Sequence, residues 1–186
     1  KLIIKFVNEN PEYDYKDLGV LSRTSEFEKL AYVLLQHNIP FIRHSGSGFF
    51  NSQEIRDLTS YLKFLQNPAD DLALVSILRS PFFDLNESEI YLISQHKRGL
   101  HFWDSMKDLA GNTESNNISS NFHRALRLLR QTIPLASGMT VPSLINEILE
   151  KTAYLAFAAS SPRRSQIHAN IEKLKIRIHE TDLVPL

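Results

Sequence analysis

Apolar positions recur along most of this chain at intervals of three and four, the period of one face of an α-helix. The clearest run is Ile55, Leu58, Leu62 and Leu65, with Arg56 and Lys63 elsewhere on the same circumference. Asn51 followed three residues later by Glu54 has the form of a capping box, so the spacing predicts a helix that starts there. Asn67-Pro68 ends it, because a residue that precedes proline is pushed out of helical geometry. Upstream, Lys1 to Asn8 is apolar with a charged margin and fits a helix or a strand. Leu18 to Leu21 and Ile39 to Ile42 are short apolar runs of strand length. Between them Ser25 with Glu28 forms a second capping box, and Phe27, Leu30, Ala31, Leu34 and Leu35 share one helical face that Asn38 and Pro40 bring to an end. Strand, helix, strand predicts an α/β opening with few strands, whose loops at the strand ends are open to ligands.

From Asp70 onward the pattern is helical throughout. Asp70 to Leu78 predicts a short helix with Leu72, Val75 and Ile77 or Leu78 as its apolar side, broken at Arg79-Ser80-Pro81. Beyond Phe83 no strand-like alternation remains. Asn86 with Glu89 starts a helix that runs to about Gln95, Phe102 to Leu109 forms another, and Gly111 to Ser120 is a polar link. Phe122 to Leu129 turns Phe122, Leu126 and Leu129 inward and carries Arg124, Arg127 and Arg130 on another face. Pro142, in the first turn after Thr140 or Val141, begins a helix with the core stripe Leu144, Ile145, Ile148 and Leu149. After a link at Ser160 to Arg164, the last helix turns Ile167, Ile171, Leu174 and Ile178 inward, with Lys173, Lys175 and Arg177 on its other faces. The expected class is an α/β opening over residues 1–82 followed by a mostly α-helical domain over 83–186, predominantly α overall.

Composition narrows the function. The chain has 186 residues, 42% of them hydrophobic, enough for a packed core in one domain or two small ones. It has no apolar run near the roughly 20 residues that span a bilayer, and no charged-then-apolar leader. Without cysteine there are no disulfides, no thiol catalysis and no cysteine-bound zinc, which fits a reducing cytoplasm. Lys and Arg equal Asp and Glu at 21 each, so the whole chain has no net attraction for phosphate, and any contact with DNA must be local. A start at Lys1-Leu2 reads as an excised piece of a larger polypeptide.

The candidate chemistry is binding. No Gly-Lys-Ser/Thr phosphate cradle occurs, Asp70-Asp71 is explained by the dipole of the helix it starts, and the seven histidines show no metal-ligand spacing. By contrast, Gly46 and Gly48 around Ser47 let backbone amides approach a phosphate, Phe49 or Phe50 can stack on an unpaired base, and Arg56 lies one helical turn further on. The competing reading places at least one of the two phenylalanines in the core. Glu54 is expected to cap its helix and Asp57 to pair with a neighbouring Arg or Lys.

These residues also carry a family resemblance. The order glycine-rich loop, Gly48-Phe49-Phe50, Glu54-Ile55-Arg56-Asp57, Tyr61-Leu62, Phe64-Leu65, Asn67-Pro68, Asp70-Asp71 and Leu78-Arg79-Ser80-Pro81 resembles the second motor domain of UvrD/Rep-type superfamily 1 DNA helicases. Arg79 to Phe83 followed by an acidic helix start, with Leu85-Asn86 in place of an Arg-Gly-Ile-Gly turn, is most similar to the AddA/RecB branch of helicase-nucleases. Asn51-Ser52-Gln53 departs from the commoner arginine-containing link. Gly19 to Thr24, the stretch from Leu144 to Tyr154 and Ala169 to Leu174 extend the resemblance over nearly the whole chain.

The resemblance implies that residues 1–82 are part of a RecA-like motor domain, 2A, and residues 83–186 a helical 2B insertion. It places Arg23 and Thr24 near the ATP cleft between motor domains, and the Gly46 to Phe50 loop with Arg56 in the single-strand path. It directs Arg124, Arg127 and Arg130, or Lys173, Lys175 and Arg177, toward duplex DNA or an AddB/RecC-like subunit. The chain is then a catalytically silent, cofactor-free fragment of an ATP-dependent 3′-to-5′ DNA helicase or helicase-nuclease of double-strand-break repair or recombination. Its nuclease, if present, lies outside this piece. The parent would use ATP and magnesium, with single-stranded and duplex DNA and the remaining motor domains of the same polypeptide as partners, in the cytoplasm and away from membranes. A helical protein-interaction module without a nucleic-acid role is the alternative.

Overall fold

The computed structural model describes residues 2–21, 27–42, 49–96, 100–111 and 118–182, and every regular element among them is helical. Helix α1 (Leu2–Glu9) resolves the ambiguous first segment, and α2 (Phe27–Gln36) follows. Next come α3 (Gln53–Gln66), α4 (Asp71–Arg79), α5 (Glu87–His96), α6 (Phe102–Gly111) and α7 (Ser120–Thr132). The last three are α8 (Val141–Lys151), α9 (Tyr154–Ser160) and α10 (Arg164–Asp182).

The expected α/β opening is therefore corrected to a helical one among the described residues. A strand is stable only when its amides and carbonyls find a neighbouring ladder, and among the described residues neither short apolar run has one. The Leu18 amide closes a 3-10 turn on the Tyr15 carbonyl at 3.3 Å, and Leu21 stands 100% exposed. Ile39 is used instead to close α2. Asn38 adopts a positive φ of 53°, its amide meets the Leu35 carbonyl at 3.1 Å, and the Ile39 amide meets the Leu34 carbonyl at 2.9 Å. Those are the two bonds of a Schellman stop, which brings the flanking apolar side chains together, and Leu34 and Ile39 are both buried.

The core lies further along. Its buried cluster runs from Ile55 to Leu174, and among the described residues nothing before Phe49 packs against it. Helix α3 is the hub and packs on α4 and α10; α10 also covers α8 and α9, while α6 joins α4, α5 and α7. The breaker after α4 is a tight turn. The Ser80 hydroxyl donates to the Ile77 carbonyl at 2.7 Å, the Phe83 and Asp84 amides both return to the Ser80 carbonyl, and Asp84 takes a positive φ of 54°. This turn drives Phe82 and Phe83 into the core. Phe82 lies 5.1 Å from Tyr61 of α3 and 4.3 Å from Tyr154 of α9, centroid to centroid.

Several caps form as expected. Asn86 and Glu89 exchange both bonds of a capping box at 3.0 Å, and Thr140 precedes the Pro142 start of α8. Two details are corrected. Asp70 is the cap of α4, with its carboxylate 2.9 Å from the Ala73 amide, while Asp71 does more than face a dipole and accepts the Phe102 amide of α6 at 2.7 Å. This phase buries Ala73, Leu74, Ile77 and Leu78 and leaves Leu72 79% exposed.

The difference between Leu72 and Phe82 is measurable. Phe82→Ala is expected to cost about 3–5 kcal/mol, because it opens a cavity between α3 and α9, whereas Leu72→Ala should stay within about 0.5 kcal/mol of the parent. Urea unfolding of the two variants checks both values.

Candidate functional site

Phe49 and Phe50 sit immediately before α3 and are held there by its first turn. Ser52, in extended conformation, is the N-terminal cap residue; its hydroxyl and its amide both donate to the Phe49 carbonyl, and the Arg56 amide then closes on the Ser52 carbonyl at 3.1 Å. The two rings meet edge to face with centroids 5.0 Å apart. Their environments differ. Phe49 is half-buried against the core, and Phe50 is 62% exposed. One phenylalanine is thus an anchor and the other presents a wet ring.

Helix α10 brings cations to the same rings. Ile167, Ile171 and Leu174 fix its inward stripe, and that phase carries Lys173 and Arg177, one turn apart, over the aromatic pair. The Lys173 ammonium lies 5.1 Å from the Phe49 centroid; the Arg177 guanidinium lies 5.3 Å from Phe49 and 5.8 Å from Phe50. These are cation–π distances. Lys175, between them in sequence, turns away to Asn146 of α8 at 3.1 Å and pairs with Glu172. Arg56 is exposed, with one guanidinium N–H donated to the Gln53 side-chain carbonyl at 2.7 Å.

Beneath this surface the other face of α3 carries two buried carboxylates. Glu54 does not cap its helix as the spacing suggested: it is buried and accepts from Asn170 of α10, which in turn accepts from Gln166 at 2.9 Å. Asp57 is also buried and accepts from Gln53 at 2.6 Å and from the Tyr154 hydroxyl at 3.1 Å. Desolvation pushes the Asp57 carboxyl up from its ordinary value, against the pull of those two hydrogen bonds and of the Arg56 charge. Burial and then the Asp57 carboxylate push the Tyr154 phenol up as well. Burial alone raises Tyr61, which bonds Thr132 at 3.2 Å, to about 12.

The remaining expected residues divide. Gly46, Ser47, Gly48, Arg23 and Thr24 lie outside the described residues, as does Ser25 of the second capping box. The arginines of α7 do not form one surface. Arg127 and Arg130 are exposed, whereas Arg124 is partly buried, with a guanidinium N–H aimed at the Phe83 carbonyl at 3.4 Å. Two participants had no adequate signal in the sequence. Spacing contains the Lys173 and Arg177 pair but nothing that joins it to Phe49, and periodicity contains no helix over Tyr154–Ser160, a short alanine-rich run. No described helix is long and apolar enough to cross a membrane.

Comparison with known proteins agrees with the motifs. The model of the UvrD-like helicase C-terminal domain matches residues 1–180. The chain is similar to the AddA subunit of the ATP-dependent helicase/nuclease of Listeria monocytogenes, at 29% identity over 180 residues that cover 95% of this chain and 14% of that protein. The same-named proteins of Limosilactobacillus reuteri and Bacillus pumilus are each 29% identical, over 89% and 86% of this chain respectively and 13% of their own length. The chain therefore spans only a small part of the relatives that it matches.

The Asp57 environment has a pH signature. Its carboxyl holds a proton more tightly folded than unfolded, so the stability it contributes is complete below the ordinary carboxylate value of about 3.9 and is lost as pH rises through the raised value. Asp57→Asn removes that titration. Urea midpoints taken from pH 4 to pH 7 should show the parent's advantage over Asp57→Asn shrinking as pH rises; a gap that widens would contradict the burial account.

Proposed function

Because this chain belongs to the UvrD-like helicase C-terminal domain family, we propose that it is a non-catalytic, single-strand-gripping part of an ATP-dependent 3′-to-5′ DNA helicase or helicase-nuclease of double-strand-break repair or recombination. One observation carries the single-strand role: the exposed Phe50 ring set beside the anchored Phe49, at the start of the helix that bears Arg56. An aromatic face stacks any unpaired base regardless of sequence, and a nearby arginine meets the phosphate that follows. The relatives are named as parts of an ATP-dependent helicase/nuclease, which supports the motor setting.

In this reading residues 1–82 serve within motor domain 2A and residues 83–186 as the 2B insertion. Leu2, Phe6, Val20, Leu21, Tyr32 and Ile42 expose apolar surface that the core does not use, which supports packing against the remaining motor domains of the same polypeptide. Arg23 and Thr24 belong to the neighbourhood of the ATP cleft without binding the nucleotide, and Gly46, Ser47 and Gly48 belong to the single-strand path. Arg127 and Arg130 face duplex DNA or an AddB/RecC-like subunit, while Arg124 holds the turn at Phe83. ATP and magnesium act on the rest of the polypeptide, in the cytoplasm; this chain has no Gly-Lys-Ser/Thr cradle, and none of its residues is assigned to them. Balanced charge, 21 against 21, supports a second reading, a protein-interaction module.

Fluorescence anisotropy of a labelled single-stranded oligonucleotide at low salt separates the two. Salt-sensitive binding is expected, with Phe50→Ala weakening it roughly 5- to 100-fold, the range of one lost base stack, and Arg56→Ala weakening it less. Binding untouched by Phe50→Ala removes this site, and the absence of salt-sensitive binding favours the interaction module.

A further inference from the structure

Gln53, the first residue of α3, lies three residues before Arg56 and four before Asp57, so both are its neighbours on the helix surface. They look in opposite directions: Arg56 is exposed and Asp57 is buried. Gln53 joins them through the two ends of one amide. Its Nε2 donates to the Asp57 carboxylate at 2.6 Å, and its Oε1 accepts from the Arg56 guanidinium at 2.7 Å. From this bridge we propose that Gln53 is a positioning residue of the single-strand site, holding Arg56 in the orientation in which it meets a phosphate beside the Phe50 platform. The inference rests on the single-strand reading above and adds to it the device that orders its arginine.

The direction of the amide is fixed by what each partner can do. An ionised carboxylate only accepts and a guanidinium only donates, so the nitrogen of Gln53 faces inward and its oxygen outward. A flip would break both bonds. The other oxygen of Asp57 accepts from the Tyr154 hydroxyl of α9 at 3.1 Å, so the reference point for the surface arginine lies in the core. An arginine that grips a phosphate loses rotamer freedom on binding, and one that is already ordered loses less. Glutamine suits this task because it is neutral. A carboxylate at the same position would also hold Arg56, but it would pair the charge and compete with the phosphate. The guanidinium has five N–H donors in one plane, and the bond to Gln53 uses one of them, so a fork toward a phosphate remains open on an exposed side chain.

A double-mutant cycle separates positioning from general support of the fold, because an effect that works through Arg56 vanishes once Arg56 is gone. Anisotropy titrations of the 186-residue chain with a labelled oligothymidine at low salt should show Gln53→Met weakening binding roughly 2- to 10-fold, the cost of ordering one side chain. In the Arg56→Ala background the same substitution should change nothing. Across a salt series Gln53→Met should keep the parental slope of log affinity against log salt, since the charge remains, whereas Arg56→Ala should make it shallower by about 0.7. Circular-dichroism melts confirm that each variant is folded. NMR relaxation of the arginine side chains in the DNA-free parent needs no variant, and should show the Arg56 Nε–H more ordered than those of Arg127 and Arg130, which are also exposed. A Gln53→Met effect of the same size with and without Arg56, no effect at all, or equal mobility of the three arginines overturns the positioning role; Phe50→Ala that still weakens binding then leaves the single-strand reading in place. No salt-sensitive binding by the parent chain overturns both.

Discussion

Two rings 4.3 Å apart, Phe82 and Tyr154, hold the molecule together in a literal sense: one comes from the turn after α4, the other from the start of α9, and both pack on α3 residues or their neighbours. Burial of rings of this size stabilises by several kcal/mol, of which only about 0.5–1.5 kcal/mol depends on how the rings face each other. Direction comes from the phenol. The Tyr154 hydroxyl must find a partner in an apolar surround and finds Asp57, a carboxylate that would itself be costly to bury without donors. Each group offsets part of the other's penalty, and α9 is thereby set at one angle to α3.

The four residues Glu54, Ile55, Arg56 and Asp57 then work in opposite directions on one turn of helix. Glu54 and Asp57, three apart, face inward to Asn170 and Tyr154. Arg56 faces water, next to the turn that carries the exposed Phe50. The buried carboxylates give a rigid footing to a surface whose work is to touch something else.

Much of this is legible in the sequence, and unevenly. Helices with a clear apolar stripe, α3, α7, α8 and α10, lie close to their expected spans. The Asn86 and Glu89 box closes as written because both partners are local. The strand expectation fails because strand length and apolar content describe only the segment, while a strand exists through a neighbour, and Ile39 is claimed first by the stop of α2. The capping role expected of Glu54 fails for a related reason. Its spacing from Asn51 is local, but the donor that decides its orientation is Asn170. The motif order points correctly to the UvrD-like family, yet which phenylalanine is exposed, and which cations join it, depends on contacts that spacing cannot encode.

The Glu54 to Asn170 bond spans 116 residues, and the Asp57 to Tyr154 bond spans 97. During synthesis α3 therefore emerges from the ribosome long before the donors that match its carboxylates. Until α9 and α10 are made, the inward face of α3 is an apolar stripe interrupted by two charges, poorly suited to premature collapse. The late arrival of those donors makes the synthesis of α9 and α10, and not the appearance of the first apolar helices, the event that closes the core.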